Sequence, residues 1–140
     1  MTGVLLSCAR TFKVTSEPNI TSLASFWKFG IRGAAVSGSL GVAPGANLNP
    51  PRQFPSMFEP IHGSAPDIAG RGIANPIAQI LSLAMLLRFS LGETQAADAI
   101  ENAVAKTIAD GFRTGDIATG RDGETKVGTK AMGDAVLSRL

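Results

Sequence analysis

The chain has 140 residues, 44% of them apolar, which is enough for one compact core. No run approaches the ~18 consecutive apolar residues of a membrane-spanning helix, so a membrane protein of that kind is not expected. Thirteen basic against eleven acidic residues leave a net charge of +2, scattered and without aromatic interleaving, which argues against a nucleic-acid-binding surface.

Residues 1–28 read as an irregular extension. Val4 to Leu6 is too short for the apolar core of a signal peptide. Arg10, Lys13 and abundant hydroxyls give only a faint organelle-targeting composition, and Asn19-Ile20-Thr21 is a formal glycosylation sequon with nothing else to suggest secretion. Cys8, the single cysteine, allows no internal disulfide and suits a reducing, cytoplasmic setting.

From Gly30 to Gly72 glycine and proline are dense, and all but one of the eight prolines fall between Pro44 and Pro76. Such punctuation predicts tight loops joining short strands. Ser56-Met57-Phe58-Glu59-Pro60-Ile61 can hold one short strand, at an edge or a strand end because of Pro60 and the preceding Pro55.

Asn75-Pro76 then marks a helix start, since asparagine accepts from an exposed backbone N–H and proline is pre-set for the first helical position. Ile77, Ile80, Leu81, Ala84, Leu87 and Leu91 recur with a helical period, and Gly92 can end the helix. Met85, Leu86 and Phe89 widen the apolar surface, predicting burial on more than one side. A second helix is expected from about Thr94 to Gly111. Its stripe is Ala96, Ile100, Ala103, Val104, Thr107 and Ile108, with Glu93, Asp98, Glu101 and Lys106 facing water. Residues 115–128 read as a polar loop. Thr129 is expected to cap a last helix carrying Lys130, Met132, Ala135, Val136 and Leu140. Loops and short strands followed by three helices make an α/β chain with too few strands for a complete parallel-sheet domain.

The densest polar cluster runs from Glu59 to Gly70. Ser64, His62 and Asp67 lie within six residues of one another, whereas a catalytic triad is assembled from distant segments, and no Gly-x-Ser-x-Gly elbow surrounds Ser64. His62 with Glu59 supplies two metal ligands and no third. Gly70-Arg71-Gly72-Ile73-Ala74-Asn75 begins like a dinucleotide fingerprint but has Asn75 in place of the third glycine and no strand leading in. A nucleoside-binding loop remains. Gly63, Ser64 and Ala65 permit close backbone approach, Asp67 can accept from two ribose hydroxyls, and Asn75 offers an amide to a purine edge. Pattern alone leaves helix capping for Asn75 and a plain turn carboxylate for Asp67 equally open.

Phe58-Glu59-Pro60-Ile61-His62-Gly63-Ser64-Ala65-Pro66-Asp67-Ile68-Ala69-Gly70, continued by Gly72-Ile73-Ala74-Asn75-Pro76, is similar to the signature of the isocitrate/isopropylmalate dehydrogenase family. The segment from Gly33 to Pro44 and the closing Gly128-Thr129 with Met132-Gly133-Asp134-Ala135-Val136 extend that resemblance over residues 29–140. Ala46-Asn47-Leu48-Asn49-Pro50 and Phe54-Pro55-Ser56-Met57-Phe58 look most like the tartrate dehydrogenase branch, with the isopropylmalate branch close behind.

The resemblance implies the carboxy-terminal part of an isopropylmalate dehydrogenase-like domain in an enzyme that oxidises a 2-hydroxy diacid with NAD and Mg²⁺ or Mn²⁺ and then releases carbon dioxide. It also implies a loop of His62, Gly63, Ser64, Ala65, Asp67 and Ile68 around the adenosine half of NAD. Asp67 would lie on the ribose, Asn75 near adenine, and Asp116 at the adenine edge. A 2′-phosphate against Asp67 would cost about 1–4 kcal/mol at ~4 Å, which favours NAD over NADP.

The family's substrate arginines, base lysine and acid tyrosine have no counterpart here. Where its metal-binding aspartates are expected, Phe29-Gly30 is followed by Ile31-Arg32. No catalytic or metal-ligating residue is therefore assigned. Activity of the chain alone is not expected, and a homodimer or a complementing polypeptide would be its macromolecular partner. The alternative is a non-catalytic remnant or interaction module.

Overall fold

The computed structural model describes residues 38–140. The extension, its boundary at residue 29, and the Phe29 to Arg32 stretch lie outside the described residues.

A single 3-10 turn, Leu40–Val42, leads into strand β1 (Pro44–Asn47). Strand β2 (Met57–Pro60) pairs with it antiparallel, Ala46 opposite Phe58 and Pro44 opposite Pro60. The expected strand is thus real, and the constraint of its one proline, Pro60, is met because a two-stranded sheet is all edge. After β2 the chain turns through a second 3-10 element, Pro66–Ile68, and enters helix α1 (Ile77–Leu86). Helix α2 (Thr94–Ala109) follows, then strand β3 (Phe112–Arg113), strand β4 (Thr125–Lys126) and helix α3 (Thr129–Leu137).

Helix α1 packs against the β1–β2 sheet and against α2, so it is covered on two sides. Ile77, Ala78, Ser82 and Ala84 are buried. The core joins Val42, Ile77, Ala103, Val104, Met132 and Val136, drawn from the first 3-10 turn and all three helices. Ile77 and Met132 are essentially inaccessible, each stabilising the fold by about 1.5–3 kcal/mol relative to exposure. The buried hydroxyls of Ser82 and Thr107 donate to the carbonyls of Ala78 and Ala103 one turn back, both at 2.8 Å, so neither is left unpaired.

Several expectations are corrected. The first helix does not run α-helical to Leu91: Leu87–Leu91 form a π turn. Gly92, at φ 76°, then ends it in the left-handed conformation that glycine allows. On α2, Ala97 is buried and Ala96 exposed. Adjacent alanines are equal in hydropathy, so the periodic stripe could not choose between them. Glu101 does not simply face water. Arg88, on the π turn, folds back and donates to both Asp98 and Glu101 at 2.9 Å, leaving the Glu101 side chain 13% exposed.

The polar loop contains β4, which pairs parallel with β3. Two-residue strands carry no readable period. Thr129 is the first residue of α3, and Gly128 takes the cap position without a side-chain bond. The Thr129 hydroxyl donates instead to the Ala74 carbonyl, and its backbone N–H donates to Gly72 at 2.8 Å. A Cβ on Gly128 would stand 2.6 Å from the Gly72 carbonyl oxygen, so close backbone approach decides which residue sits there.

Leu83 and Leu91 stay 49% and 61% exposed on the outer side of α1 and its π turn, and Leu140 is exposed at the chain's end. Purified chain is expected to bind a hydrophobic fluorescent dye, and the double substitution Leu83→Lys, Leu91→Lys to reduce that signal severalfold. A dye-silent wild type, monomeric by size exclusion, would show that these leucines are too dispersed to act as a patch.

Candidate functional site

The loop leaving β2 holds His62 to Ile68 at the surface. His62 is exposed, and its Nδ1 lies 2.9 Å from the Gly63 carbonyl, a contact that requires the proton on Nδ1. Gly63 has open space where a side chain would project. Ser64 is exposed. Ala65 takes φ 44° and ψ 62°, a left-handed conformation rare for a residue with a Cβ, which costs about 1–2 kcal/mol. That kink starts the Pro66–Ile68 turn, which presents Asp67 to solvent while Ile68 is half-buried. The Asp67 carboxylate makes no hydrogen bond or ion pair among the described residues. Strain of this sort, held on an exposed turn, fits a loop shaped for a ligand.

A second group lies at the head of α1. Pro76 takes the cap position, not the first helical position expected for it, and Asn75 just before it still serves the helix start: its Oδ1 accepts from the Ile77 N–H at 3.0 Å. Its Nδ2 donates to Asp116 Oδ2 at 3.0 Å. The same carboxylate oxygen accepts from Ser39, whose hydroxyl oxygen in turn accepts from the Gly41 N–H at 2.9 Å. Thr114 is fully buried beside this group, its hydroxyl without a hydrogen-bond partner of strict geometry among the described residues.

Partial burial would raise the Asp116 carboxyl, but polar contacts from Ser39, a looser one from Thr114, and one from Asn75 together hold it below its ordinary value of 3.8. A depressed carboxyl stabilises the fold above its unfolded value, and that contribution is lost as pH falls through the lower, folded one. Wild-type chain is therefore expected to lose more stability than Asp116→Asn between pH 5 and pH 2.5, read from urea melts. Parallel losses in the two proteins would contradict this assignment.

The structure thus brings Asn75 and Asp116 into direct contact, and sets His62, Gly63, Ser64, Ala65, Asp67 and Ile68 together on one turn. Among the described residues no side-chain hydrogen bond of Asn75 or Asp116 reaches the His62 to Ile68 loop. Ser39, Gly41 and Thr114 were not singled out from sequence. Ser39 and Asp116 lie 77 positions apart, beyond any local signal. A depression of about 490 Å³ between residues 48–56 and the π turn contains none of the expected site residues. Among the described residues no cluster of three or more His, Cys, Asp or Glu is placed to hold a metal ion.

The model of the family described as isocitrate/isopropylmalate dehydrogenase matches residues 32–136, three quarters of the chain. The chain belongs to the isocitrate/isopropylmalate dehydrogenase family. Among its relatives in that family, a 3-isopropylmalate dehydrogenase of Geobacter sulfurreducens is 57% identical over 107 residues, covering 76% of this chain and 29% of that enzyme. One from Gluconobacter oxydans is 56% identical, again over 29% of its length. Two solved family structures superpose well. The isocitrate dehydrogenase of Methylococcus capsulatus does so at TM-score 0.67 and 41% identity, over 79% of this chain and 32% of that one. A β-decarboxylating dehydrogenase of Thermococcus kodakarensis does so at TM-score 0.63 and 38% identity, over 76% and 29%. These structures place the short strands and three helices in the family's α/β fold. The chain spans under a third of the curated relatives it matches. Among the described residues no helix is long and apolar enough to cross a membrane.

Proposed function

We propose that this chain carries the adenosine-binding part of a NAD-dependent, β-decarboxylating 2-hydroxyacid dehydrogenase. One observation carries the reading most directly: Asp67 stands exposed on a strained turn with its carboxylate uncommitted. Such a carboxylate is a two-oxygen acceptor suited to vicinal ribose hydroxyls and hostile to a 2′-phosphate. Asn75 fits the base. Its amide has spent one N–H and one lone pair internally and keeps one of each. Gly63 and Ser64 leave the backbone open to a ligand, with His62, Ala65 and Ile68 framing it and Asp116 beside Asn75 at the adenine edge.

NAD would supply the hydride acceptor. The residues named here bind and orient its adenosine half and do not themselves touch the reacting carbon. Relatives named 3-isopropylmalate dehydrogenases at 55–57% identity favour a 3-isopropylmalate-type diacid over tartrate or malate. The described residues do not fit Mg²⁺ or Mn²⁺, so no step through a metal is assigned to them. Turnover would need a complementing polypeptide or further chain, in a cytoplasmic, soluble setting with a dimer as the working unit. The exposed Leu83, Leu91 and Leu137 favour a second reading, an interaction module without catalysis of its own.

Calorimetric titration of the chain with NAD and with NADP tests the binding claim. NAD should bind at least tenfold more tightly. Absence of any heat with NAD at millimolar concentration, from chain shown to be folded, would remove the basis of the reading. A parallel assay for NADH formation from 3-isopropylmalate, tartrate and malate with manganese should stay blank for this chain alone.

A further inference from the structure

The amide of Asn75 is fixed in one orientation by opposite partners on its two ends. Its oxygen faces the Ile77 N–H and its nitrogen faces a carboxylate oxygen of Asp116, each at 3.0 Å. Rotating the amide by half a turn would set N–H against N–H at Ile77 and oxygen against oxygen at Asp116. Both ends would then clash electrostatically, and two hydrogen bonds would be lost. Asp116 is held in turn by the Ser39 hydroxyl, and Ser39 by the Gly41 N–H. Gly41 closes the arrangement from behind: a Cβ there would lie 2.8 Å from Asn75 Cβ and 3.0 Å from Asp116 Oδ2.

We propose that Ser39 and Asp116 are positioning residues that lock the Asn75 amide and thereby make it a reader of the 6-amino group of a purine. The inference rests on the NAD-binding reading above and deepens it. The remaining N–H and lone pair of Asn75, a half-buried residue, then stand in a fixed order. Adenine offers a matching donor and acceptor edge. Hypoxanthine, with an oxygen at position 6 and a proton on N1, presents the reverse order. A locked amide rejects the reversed edge, whereas an amide free to flip accepts both. A well-formed two-bond contact of asparagine with adenine discriminates by roughly 5- to 150-fold.

The experiment compares the dissociation constants of NAD and nicotinamide hypoxanthine dinucleotide for wild type, Ser39→Ala, Asp116→Leu and Asp116→Asn. Wild type should prefer NAD by tenfold or more. Asp116→Leu should bring the two constants within about threefold, Ser39→Ala should fall between, and Asp116→Asn should restore selectivity, because an amide there can still accept from Asn75. Loss of affinity for both ligands by the same factor, with the ratio intact, would overturn the lock. A second measurement needs no ligand: the Asn75 side-chain N–H bonded to Asp116 should exchange slowly with solvent by NMR in wild type and several times faster in Asp116→Leu. Solvent exchange as fast in wild type as in Asp116→Leu overturns the lock too. A wild type with slow amide protons that binds neither dinucleotide overturns the NAD reading and its base selectivity instead.

Discussion

Gly111→Ala is expected to destabilise the chain by about 3 kcal/mol or more, a large share of the roughly 5–15 kcal/mol that holds a typical domain together. Gly111 has φ 93°, outside the region that a residue with a Cβ tolerates, and a Cβ there would stand 2.3 Å from the Gly123 carbonyl oxygen. The obstacle is backbone, so no side chain can swing aside. Nor can the strand move off cheaply. The Gly111 carbonyl accepts from the Thr125 N–H at 2.9 Å, and that of Arg113 from the Val127 N–H at 2.8 Å, which are the bonds that define the β3–β4 pair. Glu124 tightens the same crossing by accepting from the backbone N–H groups of Thr119 and Gly120 and pairing with Arg113. Urea melts measure the loss. A change under 1 kcal/mol would mean that the two backbones do not cross as described.

Asp67→Ala is expected to weaken NAD binding by roughly 10- to 150-fold, the equivalent of the 1.5–3 kcal/mol of a charged hydrogen bond. The side chain is exposed and makes no hydrogen bond or ion pair among the described residues, so the fold should be unaffected, and an unchanged melting temperature separates lost recognition from lost structure. Asp67→Lys carries the argument further. It removes the repulsion of about 1–4 kcal/mol facing a 2′-phosphate and adds an attraction, so preference should swing from NAD toward NADP. Titration of both variants with both dinucleotides provides the check. Equal affinity for NAD in wild type and Asp67→Ala would show that the carboxylate does not meet the ribose.

What the sequence made legible was local. The signature around His62 to Asn75 is contiguous, so the turn, the helix start and the role of Asn75 there were all readable from neighbours. The helices were readable where side chains differ sharply in hydropathy, as along Ile77, Ile80, Leu81 and Ala84. Legibility failed where distant backbone segments approach. Nothing near Thr129 signals that its hydroxyl is taken by Ala74, 55 positions away. Nothing near Ser39 signals Asp116. The π turn was equally hidden, because an apolar run with a basic residue reads the same whether its hydrogen bonds step four or five residues.

The bond pair from Thr129 to Gly72 and Ala74 has a mechanical corollary. Helix α3 is anchored in the core through Met132 and Val136, and behind it Arg139 grips Asp110 at 2.8 Å and covers the Phe112 ring. Its first residue therefore works as a tendon attached to the stretch that leads into Asn75. Clipping the chain before Met132, or pulling on a tag fused after Leu140, should slacken that stretch and show itself as faster amide exchange at Gly72 to Asn75.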